Sequence, residues 1–96
     1  MVAEPGGNFP FKQIKRDSEY FCRTFSANVD ESELVWHRDH EDRYVQVISG
    51  AGWQLQMDNE LPFEMIHGET YFIPKNTHHR IIKGKEPLII GIREVS

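Results

Sequence analysis

Short runs of β-branched and aromatic residues recur along this chain, and no segment sustains a 3.6-residue apolar period. The runs cover residues 11–15, 20–26, 33–37, 43–48, 53–57, 63–66, 70–73, 79–83 and 88–93. Between them lie turn-forming stretches such as Gly50-Ala51-Gly52, Asp58-Asn59-Glu60, Pro74-Lys75-Asn76 and Gly84-Lys85-Glu86-Pro87. Glycine and asparagine there tolerate the positive φ that tight turns need. About nine short strands at this spacing predict an all-β sandwich or barrel.

Strand alternation assigns faces. Trp53, Leu55 and Met57 oppose Gln54 and Gln56 and should face the interior. Arg43, Val45 and Val47 share one face of the next-longest run, while Tyr44 and Ile48 share the other. A strand apolar on both faces should be covered on both, and together with the aromatic-rich run at 20–25 it predicts a homodimer.

Composition narrows the class. With 96 residues, 39% hydrophobic and 27% charged, the chain is sized for one soluble domain. Residues 1–8 read as a loose arm and 9–96 as the domain. The net charge is −4 and no basic stripe exists, which argues against nucleic acid as a partner. The longest apolar run is Leu88-Ile89-Ile90, far short of a membrane span. The start of the chain lacks the basic and apolar regions of a signal peptide, and the single Cys22 forbids an internal disulfide. Both point to the cytoplasm. Cys22, inside Tyr20-Phe21-Cys22, reads as a small sheet or core residue.

Histidine is the informative residue. His37 and His40 form one cluster, His78 and His79 another, and His67 falls in a turn. Two histidine-bearing segments at strand ends can converge in a barrel, and imidazole is both a common metal ligand and the usual acid–base group near neutral pH. By alternation His78 should point away from His79.

The spacing around these clusters resembles the cupin superfamily. Its second motif is matched by Gly68, Pro74 and His79, with Asn76 at a glycine position and Lys83 at the asparagine. Its first motif is matched by His37 and Gly50, with Asp39 at the second histidine and Arg43 at the glutamate; Glu31 replaces the leading glycine. The resemblance covers about residues 33–94 and implies a double-stranded β-helix, the cupin or jelly-roll barrel.

The resemblance also implies a site inside the barrel. His37, Asp39 and His79 would hold one divalent ion (iron, manganese, nickel or zinc), a two-histidine, one-carboxylate set that suits non-haem Fe(II). Arg43 opposes this, since a guanidinium stays charged and cannot be a ligand. If Arg43 fills the site, no metal binds. The same residues then fit a metal-free isomerase or epimerase, with His37 or His79 as acid or base and Tyr71 as a hydrogen-bond or proton donor. Arg43 would anchor a small anionic molecule in either case. His40 is open between a solvated loop, a ligand contact and a replacement for Asp39; Trp53 is open between ligand contact and core packing. A non-catalytic small-molecule binding module is the remaining alternative.

Overall fold

A computed structural model describes residues 10–95; the arm expected at 1–8 lies outside them. Eight strands follow one another: β1 (Lys12–Lys15), β2 (Tyr20–Phe25), β3 (Asp42–Ser49), β4 (Gln54–Met57), β5 (Phe63–Glu64), β6 (Thr70–Ile73), β7 (His79–Ile82) and β8 (Leu88–Val95). They form a five-stranded sheet in the order β1-β2-β8-β3-β6 and a three-stranded sheet in the order β5-β4-β7. Every pairing is antiparallel. This is the all-β barrel that the strand spacing predicts, in the double-stranded form that the resemblance implies.

The alternation decides which residues meet inside. Trp53, Leu55 and Met57 are buried, as are Val45 and Val47 from β3, Phe21 and Phe25 from β2, and Leu88, Ile90 and Ile92 from β8. Burying one such side chain stabilises the fold by about 1.5–3 kcal/mol. On the opposite face of β3, Tyr44 remains 46% exposed and packs on the 45% exposed Phe72 of β6, with ring centroids 5.0 Å apart.

One expected strand does not form. Residues 31–33 make a short 3₁₀ turn, because the Asp30 side chain accepts a hydrogen bond from the Ser32 backbone N–H at 3.0 Å and so caps it. Beyond it, Val35 and Trp36 are exposed, and the run at 33–37 contributes a single β-bridge, His37 to His79. The alternation of this segment has no neighbouring strand to fill.

The turns at Gly50 and Asn76 carry the positive φ that their residue types foretell. Gly50 has φ 116°, and a Cβ there would approach the Pro87 carbonyl oxygen to 2.6 Å. Asn76 has φ 61°, in the position where the resembled motif has glycine. Asn76→Gly should therefore leave stability within about 0.5 kcal/mol of the parent, whereas Asn76→Val should cost on the order of 1–2 kcal/mol. Urea unfolding of the two variants checks this; equal losses would mean the turn does not depend on its left-handed residue.

Candidate functional site

Backbone hydrogen bonds clamp the two histidine-bearing segments together. The His37 N–H donates to the His79 carbonyl at 3.0 Å, and the His79 N–H donates back at 2.8 Å. The Asn76 N–H donates to the Asp39 carbonyl at 2.7 Å, and the Lys75 N–H to the Asp42 carboxylate at 2.8 Å. The Pro74–Asn76 turn thus fixes where Asp39 sits, and the single bridge fixes His37 against His79. The imidazole centroids lie 4.3 Å apart. His37 and Asp39 reach the site from an irregular segment, not from the strand that parity assumed.

Three side chains converge there. One donor atom from each of His37, Asp39 and His79 lies within 4.8 Å of the others. Asp39 and His79 are buried and His37 is half-buried. His37 Nδ1 faces the Val35 carbonyl at 3.1 Å, and His79 Nδ1 faces the Thr77 carbonyl at 2.8 Å. A carbonyl only accepts, so each Nδ1 carries the hydrogen and each Nε2 of a neutral ring carries the lone pair. His79 Nε2 then stands 3.3 Å from Asp39 Oδ2, and His37 Nε2 stands 3.9 Å from Oδ1. Two lone pairs aimed at a carboxylate require a proton or a cation between them. The donor set therefore fits a divalent ion, and the Nδ1–carbonyl bonds orient the rings as second partners do at metal sites.

The charges follow from burial and neighbours. Burial opposes the ionised form of Asp39, but His79 and the Arg43 guanidinium outweigh it and hold the carboxyl well below the usual carboxylate range. Burial pushes the His37 imidazole down to about 4, so it is neutral at pH 7.

Arg43 is occupied by the protein itself. Its Nη1 lies 3.1 Å from Asp39 Oδ1, its Nε donates to Glu94 Oε2 at 3.1 Å, and its Nη2 pairs with the same oxygen. Arg43 and Glu94 are register partners across β3 and β8.

The site opens onto an apolar cavity of about 290 Å³ inside the barrel. Phe25, Leu34, Val45, Leu55, Met65 and Ile90 supply much of its wall, and His37, Asp39, Arg43 and His79 supply a polar corner. Three expected site residues lie elsewhere. Trp53 is fully buried in the core, packs on Phe25, and donates from Nε1 to the Glu86 carbonyl at 2.6 Å. Tyr71 stacks on Phe63 and spends its hydroxyl on the loop backbone, accepting from the Ile66 N–H at 2.8 Å and donating to the Glu64 carbonyl at 3.3 Å. His40 is exposed and does not line the cavity. Cys22 is half-buried on β2, on the face opposite Phe21 and Phe25.

Two residues escaped the sequence reading. Arg23 lines the cavity and is 5% exposed. Glu94 binds Arg43. Parity carried the signal for both, since Arg23 alternates with Phe21 and Phe25, and Glu94 continues the inward series of Leu88, Ile90 and Ile92.

No protein-family model matches the sequence, and no curated protein matches it. Solved structures do. A DMSP lyase from Ruegeria pomeroyi superposes with a TM-score of 0.78 at 11% identity, over 100% of this chain and 55% of that one. A cupin-2 domain containing protein from Shewanella frigidimarina gives 0.61 at 26% identity, over 85% of this chain and 76% of its own. An RmlC-like cupin with a double-stranded β-helix fold, from Methanocaldococcus jannaschii, gives 0.66 at 11% identity, over 98% and 86% of the two chains. The chain spans only 37% of a further DMSP lyase chain that it matches. The architecture is a double-stranded β-helix with an internal cavity. In fold, the chain is similar to these cupin structures.

Proposed function

We propose that this protein is a small-molecule-binding cupin whose barrel holds one divalent metal ion on His37, Asp39 and His79, and that it acts as a metal-dependent enzyme on a small anionic molecule. The observation that carries the reading is the convergence of His37, Asp39 and His79, one donor atom from each lying within 4.8 Å of the others in the barrel interior. A bound ion would supply a Lewis acid with open coordination positions, as metal-dependent oxygenases and isomerases use. The chain's own contribution is the largely apolar cavity, the ring orientations set by the Nδ1–carbonyl contacts, and Arg43, which helps keep Asp39 ionised. Structural neighbours described as DMSP lyases and as a putative mannose-6-phosphate isomerase support a small-molecule role for the barrel.

A second reading rests on the 3.3 Å His79–Asp39 contact itself. A protonated His79 paired with Asp39 needs no metal, and would serve a metal-free isomerase or epimerase as its acid–base group.

Titration calorimetry of EDTA-treated protein with Mn²⁺, Ni²⁺ and Zn²⁺, joined to elemental analysis, separates the two. One ion per chain is expected, with affinity reduced at least tenfold in His79→Ala and in Asp39→Asn. Binding that both variants retain, or no binding at all, favours the metal-free reading.

The Tyr44–Phe72 face is our candidate for pairing two copies of the chain. Light scattering should give a dimer mass, and Tyr44→Glu with Phe72→Glu a monomer. A monomeric parent at high concentration would remove the claim.

A further inference from the structure

Arg23 has no role in the site described so far. It stands on β2 between Phe21 and Phe25, is 5% exposed, and lines the cavity. Its guanidinium lies 4.3 Å from the Phe11 ring centroid and 5.0 Å from that of Phe21. Its Nε donates to Gln13 Oε1 at 2.7 Å. These contacts fix the plane of the group and use one of its five donors. Among the described residues, no carboxylate reaches ion-pair distance of Arg23, whereas Arg43 takes both Asp39 and Glu94. The two guanidiniums share the Phe21 ring, Arg43 standing 5.6 Å from its centroid. Burial and the nearby Arg43 charge push Arg23 down to about 10, the direction expected of a cation whose counter-charge is incomplete.

We propose that the cavity binds a small carboxylic acid with an apolar body, whose carboxylate is held by the Arg23 guanidinium while Arg43 serves the protein's own carboxylates. A planar fork offers a carboxylate two parallel hydrogen bonds. A phosphate dianion would bring a second charge and a third oxygen to a wall that is otherwise Phe25, Val45, Leu55 and Ile90. The cavity, about 290 Å³, is at the lower end of small-molecule pockets and holds a compact molecule. A carboxylate on Arg23 leaves the rest of that molecule to reach the His37–Asp39–His79 corner. The inference rests on reading this cavity as the small-molecule site, but not on a metal being bound there.

The test uses hexanoate, its neutral counterpart hexanamide, and hexyl phosphate, titrated by calorimetry into the full chain with EDTA and again with Mn²⁺. Hexanoate should bind at least tenfold more tightly than hexanamide or hexyl phosphate. Arg23→Met and Arg23→Lys should each weaken hexanoate at least tenfold, while Arg23→Lys, which keeps the positive charge near Asp39, should leave Mn²⁺ affinity within threefold. If Arg23→Met fails to fold, the acid–amide ratio on the parent and Arg23→Lys decide alone. Equal binding of acid and amide, tighter binding of the phosphate, no binding of hexanoate, or variants that keep parental hexanoate affinity would each overturn the proposal. Hexanoate selectivity without Mn²⁺ binding would support it and instead remove the metal reading.

Discussion

Arg43→Met should destabilise the EDTA-treated protein by about 3–5 kcal/mol at pH 7, the range seen when one member of a buried ion pair is removed. For a domain of this size that is a fall of about 15–30 °C in Tm. The guanidinium joins Asp39, whose side chain is 2% exposed, to Glu94 across the β3–β8 ladder. Methionine keeps much of the volume but takes the guanidinium away from the buried, ionised Asp39. Arg43→Lys keeps the charge and loses the fork, so it should cost less. A divalent ion supplies the positive charge that the methionine variant lacks, and its own repulsion by Arg43 disappears. At close range that repulsion is on the order of several kcal/mol even at an effective dielectric near 20. Mn²⁺ should therefore raise the Tm of Arg43→Met more than that of the parent and bind it at least tenfold more tightly. Thermal unfolding with EDTA and with Mn²⁺ measures both effects. A loss under about 1 kcal/mol would show that the interior does not depend on the Arg43 charge.

Arg43 shows where the sequence stops being legible: it lines the cavity as a ligand anchor would, but it is also taken up by two carboxylates that its residue type does not announce. Parity is local: it places Arg43 on the same face as Val45 and Val47, and the structure agrees. Its partner Glu94 is 51 positions away, and only the β3–β8 register brings the two together. The same holds for Arg23. Alternation with Phe21 and Phe25 turns it inward, but its burial depends on Phe11 and Gln13, on or beside β1. Trp53 and Tyr71 were read from residue type, and type does not say which backbone groups take up their polar atoms. By contrast, the turn at Asn76 and the inward face of β4 depend on near neighbours alone, and both are found as expected. The run at 33–37 failed for the complementary reason: a strand needs a neighbour, and Asp30 offered the backbone a local bond first.

Acid should unfold this protein in two stages of the same sign. The His37 imidazole has a pKa of about 4 in the folded protein against an ordinary 6.5, mainly because burial disfavours its charge. Between those values the unfolded chain binds the proton and the folded chain does not, so stability falls as pH falls. The window runs from about pH 6.5 down to about pH 4, and its full depth is on the order of 3 kcal/mol. Asp39 then adds a second loss below its ordinary 3.8, because its folded carboxyl is held lower still and must be protonated against its partners. Urea unfolding with EDTA at pH 7.0, 5.5 and 4.5 should show most of the first stage. His37→Asn removes the titrating ring while keeping a polar side chain, so the variant should be flatter across this window. The parent–variant difference cancels the histidines common to both chains. A variant with the parental slope would mean that His37 titrates alike in the folded and unfolded chains, and that burial does not disfavour its charge.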